Sequence, residues 1–145
     1  IKLPVASHLV KFQDTFKDSI KTNIRILNSL NNFLLKRKGK QIRPLMVFLT
    51  ADVCGEINKS TYVAATLMEL LHTATLVHDD VVDDSKLRRG FFTINALWKN
   101  KVAVLVGDFL FSGGLLHSLE NEEYELLRLA SNSLKLMSEG ELLQI

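Results

Sequence analysis

The sequence predicts an all-α fold, an antiparallel helical bundle. Gly and Pro together supply only nine of the 145 residues, and apolar residues recur at steps of three and four along most of the chain. So few turn-forming residues argue against an all-β fold, whose short strands each need a turn. A parallel α/β sheet stays open as an alternative, because the run VAVLVG at 102–107 has the composition of a buried strand.

Periodicity and capping residues predict the helices in order. The first is a single long amphipathic helix over 5–36, which Gly39 ends. Pro44 suits the first turn of the second helix, because its ring presets the helical φ angle and its missing N–H needs no partner there. A basic loop is predicted at 85–95. The other helices are predicted over about 44–54, from Asn58 or Ser60 to about Asp84, over about 96–119, and from about Asn121 onward.

Charge, cysteine content and hydropathy exclude several classes of protein. The net charge of +2 is too small to indicate nucleic-acid binding, although five bases lie within 36–43 and four acids within 79–84. The single cysteine, Cys54, cannot form an internal disulfide, so we expect it to be buried and the protein to be cytoplasmic. No apolar run long enough to span a membrane is present, so no transmembrane segment is predicted.

Asp79 and Asp83 are the strongest candidates for a metal site. They are four residues apart on the third predicted helix, so their carboxylates share one face, about 6 Å apart along the axis. His72 falls within about 40° of both on the helical wheel. Two like charges in a last helical turn repel each other and oppose the helix dipole, which a hard cation such as Mg²⁺ would relieve. A solvated acidic face is the alternative.

Basic residues flank this pair of acids. Lys86, Arg88 and Arg89 follow the acids, and Lys40 and Arg43 precede them. Arginine forks and lysine charges bind phosphate oxygens, and Mg²⁺ bridges carboxylates to phosphates. The sequence therefore predicts a site for one diphosphate or two. A phosphohydrolase built on the pair at 78–79 is the competing hypothesis, but it needs further His ligands at helical spacing.

Four motifs together resemble the trans-type polyprenyl diphosphate synthases of the long-chain, octaprenyl-like kind. HTATLVHDDVVDDSKLRRG (72–90) resembles their first aspartate-rich motif, and GKQIRP (39–44) their isopentenyl-diphosphate loop. LVGDFLF (105–111) and GELLQ (140–144) resemble two later helix motifs. The resemblance implies an isoprenoid-synthase bundle that acts as a homodimer. The second aspartate-rich motif of that family is absent, so residues 1–145 are expected to be the N-terminal part of one domain and inactive alone.

The resemblance also implies roles for individual residues in the head-to-tail condensation of isopentenyl diphosphate with an allylic diphosphate. Asp79 and Asp83 would hold Mg²⁺ on the allylic diphosphate, with Asp80 as a further catalytic acid. Arg88 would contact the same diphosphate. The residues expected to bind isopentenyl diphosphate are Lys40, Arg43, His72 and Arg89.

Product length and two further alternatives follow from the same comparison. Ala74 and Thr75, one turn before the acids, are small, where short-chain relatives carry an aromatic ring that stops elongation. We therefore expect a long-chain product. A non-catalytic subunit of a heteromeric synthase is one alternative, although such subunits lose the aspartate-rich motif. A terpene cyclase or squalene-type synthase is the other. Asp108 is expected to pair with a base across the bundle.

Overall fold

A computed structural model describes residues 3–36, 41–88 and 90–144 of the chain. It confirms the all-α prediction, and the alternative strand at 102–107 lies inside a helix. After one 3₁₀ turn at Leu3–Val5, the helices are α1 (Ala6–Ser19), α2 (Arg25–Lys36), α3 (Ile42–Cys54), α4 (Lys59–Val82), α5 (Ile94–Trp98), α6 (Asn100–Glu120) and α7 (Tyr124–Leu142). Two short antiparallel strands, β1 (Leu87–Arg88) and β2 (Phe91–Phe92), lie between α4 and α5.

The single long helix predicted over 5–36 is wrong, because the chain breaks between α1 and α2. Asparagine side chains on α2 replace the backbone hydrogen bonds lost there. Asn31, which is buried, donates to the Ile20 carbonyl at 2.6 Å. Asn28 accepts from the Thr22 backbone N–H at 3.2 Å and donates back to its carbonyl. The backbone polar groups that a helix break frees need new partners, and these two amides provide some of them.

The starts of α3 and α4 follow the sequence prediction. Pro44 lies in the first turn of α3, which begins two residues earlier than predicted. Asn58 caps α4 by accepting from the Thr61 N–H at 3.2 Å, and the Thr61 hydroxyl accepts from the Asn58 N–H in return. This reciprocal pair satisfies two donors that the first turn would otherwise leave without partners. The predicted stop at Gly39 lies outside the described residues.

The segment predicted as a basic loop and one following helix is more structured than expected. Leu87 pairs with Phe92 and Arg88 with Phe91 in a hairpin, whose turn includes Gly90 at a φ of 82° that favours glycine. Thr93 then caps α5 through its hydroxyl oxygen. Lys99, with a φ of 73°, separates α5 from α6. The helix predicted over 96–119 is therefore two helices.

The core of the bundle is the contact between α4 and α6, which run antiparallel. His78 of α4 meets Gly107 of α6, and Leu70, eight residues earlier, meets Gly114, seven residues later. Phe12 of α1 and Phe48 of α3 cover α4 from the other side and are fully buried. In contrast, α7 has no buried residue. Helix α4 is thus the central element, and its C-terminal end carries the acids.

Of two expectations from composition, the one about Cys54 is wrong, and the one about membrane-spanning segments stays untested. Cys54 is exposed at the end of α3 rather than buried. Helix α6 is long and apolar enough to cross a membrane by length and composition, with a mean hydropathy of 1.6. A core helix of a soluble bundle meets the same criteria, and α6 packs along α4 through its glycines. The prediction that no segment spans the membrane remains a prediction.

Candidate functional site

Asp79 and Asp83 lie exposed at the C-terminal end of α4, as predicted. Asp79 is in the last turn of the helix, and Asp83 is the residue that caps it. The Asp83 backbone N–H donates to the Asp79 carbonyl at 2.8 Å, so helical geometry extends through both residues. The two carboxylates therefore share one face of the helix end, open to solvent.

The electrostatics of Asp79 fit a divalent cation. Burial raises the pKa of the Asp79 carboxyl, and the neighbouring Asp83 charge raises it further, while Arg88 opposes both effects. A raised pKa means that the ionised form of Asp79 is disfavoured in this position, and a bound cation would favour it. All the donors are oxygens, which Mg²⁺ prefers, and it commonly uses one or two carboxylates together with substrate phosphates. The residues therefore fit a magnesium ion that phosphate oxygens help to bind.

Protein ligands alone do not complete a metal site in the described part of the chain. No group of three or more His, Cys, Asp or Glu side chains lies close enough there to hold a metal ion. A groove of about 490 Å³ between α3, the start of α4 and the start of α7 contains none of the predicted site residues. Asp79 and Asp83 would need further ligands, such as the oxygens of a bound diphosphate, to complete a metal site.

The structure separates Asp80 from the two acids that flank it. Asp80 is buried, with its side chain 10% exposed, and accepts from the Arg88 Nε at 2.8 Å. This carboxylate is engaged by Arg88, and the catalytic role expected for Asp80 stays a prediction. Because the bond uses Nε, the two terminal nitrogens of the guanidinium can face a phosphate.

The hairpin that carries Arg88 is tied to the end of α4 by buried polar contacts. Asn95 donates through its side-chain amide to the carbonyls of Asp80 at 3.0 Å and Ser85 at 3.1 Å. The Thr93 hydroxyl donates to the same Ser85 carbonyl at 2.7 Å. Thr93 and Asn95 are both buried. The acids and Arg88 are consequently held in one rigid unit, and its polar links were not predicted from the sequence.

The predicted isopentenyl-binding residues are only partly described. Arg43, exposed at the start of α3, lies near enough to Glu69 of α4 to lower its pKa, although burial has the larger, opposite effect. Glu69 and Asp79 are ten residues apart, about 15 Å along the helix axis. Arg43 and Arg88 therefore lie near two different positions along α4, one close to Glu69 and the other close to Asp79. His72 is half-buried between these positions. Lys40 and Arg89 lie outside the described residues.

Sequence reasoning missed one acid near the site. Glu141 of α7 contributes to the raised pKa of Asp79, so the GELLQ segment at 140–144 approaches the end of α4. The GELLQ motif contains this glutamate, but the resemblance assigned no role to it. A third carboxylate near Asp79 adds to the negative charge that a cation would neutralise.

Solved structures of isoprenoid synthases share this all-α fold, which places the chain in that class of proteins. Residues 24–145 match the polyprenyl synthetase family, and the chain is a member of that family.

Relatives and solved structures agree with this assignment. The chain is 40% identical over 146 residues to an all-trans-nonaprenyl-diphosphate synthase (geranyl-diphosphate specific) of Rhodobacter capsulatus, covering 100% of the chain and 45% of the relative. It is 39% identical to heptaprenyl diphosphate synthase component 2 of Bacillus subtilis, covering 89% and 37%. A Caulobacter crescentus polyprenyl synthase, solved with calcium and isoprenyl diphosphate, superimposes with a TM-score of 0.91 at 33% identity, covering 99% and 44%. The chain thus spans less than half the length of these proteins.

Proposed function

We propose that this chain supplies the first aspartate-rich motif and the allylic diphosphate site of a long-chain polyprenyl diphosphate synthase. The observation that carries the proposal is the exposed pair of Asp79 and Asp83 beside Arg88, whose bond to Asp80 is made by Nε and so does not use its terminal nitrogens. Such an arrangement suits a diphosphate bound through a metal ion. The names of the relatives, which are nonaprenyl and heptaprenyl synthases, support a long-chain product.

The residues of this chain bind and orient the two substrates. Asp79 and Asp83 would hold Mg²⁺ together with the allylic diphosphate, and Arg88 would donate to the oxygens of that diphosphate. When bound, Mg²⁺ stabilises the negative charge that develops on the leaving diphosphate. Arg43 binds the diphosphate of isopentenyl diphosphate farther along α4, close to Glu69. Held in this way, the two substrates react with each other without a side-chain nucleophile.

An elongation assay tests the proposed function. The complete protein is incubated with labelled isopentenyl diphosphate and an allylic primer, either geranyl or farnesyl diphosphate, in Mg²⁺ or in EDTA. We expect labelled products longer than fifteen carbons in Mg²⁺ and none in EDTA. Release of inorganic phosphate without elongation would instead support the alternative hypothesis that the protein is a phosphohydrolase.

A role as one component of a heteromeric synthase is the second candidate, favoured by the similarity to a heptaprenyl synthase component. The purified protein separates the two possibilities, because a homodimer elongates alone whereas a component needs a second polypeptide. Elongation that appears only after a second polypeptide is added would favour the heteromer. Light scattering gives the number of chains in the active species.

We predict that Arg43→Ala raises the KM for isopentenyl diphosphate by about 10- to 100-fold, since one lost phosphate contact costs about 1.5–3 kcal/mol. The KM for the allylic substrate should change little, because Arg43 lies near Glu69 and not near Asp79. Arg25→Ala, which removes an exposed base from α2, is the matched control. If only the KM for the allylic substrate changed, the two diphosphate sites would have been assigned the wrong way round.

Product length depends on which small residue faces the growing chain. Ala74 is fully buried in the core, so close packing of helices accounts for its small side chain. Thr75 is half-buried, bonds its hydroxyl to the His72 carbonyl at 2.9 Å, and lies within about 40° of Asp79 on the helix. Thr75 is therefore the residue whose size should limit elongation.

We predict that Thr75→Phe shortens the main product by several isoprene units and leaves the KM for isopentenyl diphosphate within about threefold. Chromatography of the dephosphorylated products measures chain length. Thr73→Phe places the same ring about 160° away around the helix and should not shorten the product. Equal shortening by both variants would mean that general repacking of α4, and not a blocked tunnel, changes the product.

A further inference from the structure

The ring of His78 lies directly on the backbone of α6. A Cβ atom added at Gly107 would be 2.2 Å from the His78 Nε2 and 2.4 Å from its Cδ2. No pair of unbonded heavy atoms tolerates that distance, so only glycine at 107 admits the ring in this position. The His78 ring of α4 therefore occupies the space that a side chain at position 107 of α6 would fill.

Two oxygen atoms of α6 fix the orientation of this ring. The His78 Nε2 is 3.2 Å from the Val104 carbonyl oxygen and 3.4 Å from the Asp108 Oδ1. The Val104 carbonyl oxygen can only accept, so the hydrogen bond to it requires a hydrogen on Nε2, while the Asp108 carboxylate lies at 3.4 Å from the same nitrogen. Asp108 thus has its expected partner across the bundle, and that partner directly precedes Asp79 in the chain.

His78 is one of several residues that hold the C-terminal end of α4, together with the buried Val77 and Asp80 and the half-buried Val81. Val81 packs half-buried against the core, and Asp80 bonds to the hairpin, which is itself anchored to the last turn of the helix. Among the described residues of this turn, His78 makes the directional contact with another long helix. A residue fixed against α6 sets the direction of its neighbours, because Asp79 is 100° further around the axis and Asp83 about 140°.

We propose that His78 is a positioning residue for the metal site, held by Gly107 and Asp108 so that Asp79 and Asp83 face the bound diphosphate. This inference rests on the proposed function, because it assigns to those acids the binding of Mg²⁺ with a diphosphate. It gives Gly107 and Asp108 of α6 a role at the site through their contacts with His78.

The test measures Mg²⁺ binding and folding stability on the same variants of the complete protein. Calorimetry follows Mg²⁺ binding in the presence of inorganic pyrophosphate, and urea unfolding gives stability. We expect His78→Leu to weaken Mg²⁺ binding by about tenfold, the loss typical of removing a group that orients a metal ligand. His78→Gln, whose amide nitrogen reaches a position similar to Nε2, should remain within about threefold of the wild type.

Gly107→Ala provides an independent variant, because it displaces the ring without altering any polar group. We expect it to weaken Mg²⁺ binding as His78→Leu does, and to have no further effect in a His78→Ala background, where the added methyl group has room. Gly113→Ala on the same helix meets nothing within 4 Å and is the control, with unchanged binding. Asp108→Ala, at an exposed side chain, should give an intermediate loss.

The possible outcomes separate this inference from the function on which it rests. If His78→Leu and Gly107→Ala lower stability but leave Mg²⁺ binding within twofold of the wild type, His78 is purely structural and the inference is overturned. If the wild type itself binds no Mg²⁺ with pyrophosphate, the proposed function fails and the inference fails with it. Rescue by His78→Gln together with loss in His78→Leu supports the positioning role.

Discussion

Asp79→Ala or Asp83→Ala is expected to reduce Mg²⁺-dependent condensation by the complete enzyme more than about 100-fold, the loss typical of removing one preorganised charge contact from a reacting group. Each change removes one of the two exposed carboxylates that share the end of α4. Initial rates at saturating substrate, measured over a series of Mg²⁺ concentrations, test the expectation. Asp52→Asn removes an exposed acid from α3 and should leave the rate unchanged. Rates within tenfold of the wild type for both variants would refute the metal assignment.

The same carboxylate is expected to lower folding stability in the absence of metal. Because the pKa of Asp79 is raised in the folded state, ionising the group costs free energy of folding at every pH above that raised value. Asp79→Asn should therefore be more stable than the wild type at pH 7. The difference should shrink at an acidic pH below that raised pKa, where the wild-type carboxyl has taken up a proton. Urea midpoints at both pH values measure it, and a less stable Asp79→Asn at pH 7 would contradict it.

Breaking the buried pair of Asp80 and Arg88 is expected to cost both stability and substrate affinity. Arg88→Ala leaves the Asp80 carboxylate, 10% exposed, without its cation, and removing one partner of a buried pair costs about 3–5 kcal/mol. We expect the lower end of that range, because the Arg88 side chain is 38% exposed. Urea unfolding measures the loss. The KM for the allylic diphosphate should rise as well, since Arg88 is proposed to bind it.

A double variant separates the two effects of this pair. Asp80→Leu combined with Arg88→Leu replaces the pair with apolar groups, which often restores stability, but it cannot restore a phosphate contact. We expect recovered unfolding midpoints with an allylic KM that stays high. Arg128→Ala breaks an exposed pair with Glu125 on α7 and should change neither quantity. Recovery of both quantities in the double variant would show that Arg88 acts only through stability.

The helices and the exposed acids were predictable because local patterns encode them. Pro44 in a first turn and Asn58 as a cap have the same effect in any helix that they begin. The break between α1 and α2 escaped detection because Ile20 and Ile24 keep the helical spacing of apolar residues across it. The buried Asn31 was the available signal, since an amide on a buried face needs a partner that a continuous helix does not supply.

The interior of the site was less predictable. Four acids in six residues gave no indication of which one is buried. A helical wheel would have identified Asp80 as the buried acid. Asp80 follows the buried Val77 by three residues, so it lies on the face that packs against the core. The hairpin could not be predicted, because strands of two residues are too short to show alternation. The contact between His78 and Gly107 joins residues 29 positions apart and depends on how two helices cross, which periodicity does not specify.

The polar links around the hairpin have a consequence for the order in which the chain folds. They join residues only 8 to 15 positions apart, all within one continuous stretch. Loops of that length close in about 10–100 ns and at small entropic cost. During synthesis at about 5–20 residues per second, the ribosome needs several more seconds after Asn95 to reach Glu141. The hairpin can therefore fold against Asp80 before Glu141 has been synthesised. The repulsion between Glu141 and Asp79 is then added to a structure that has already formed.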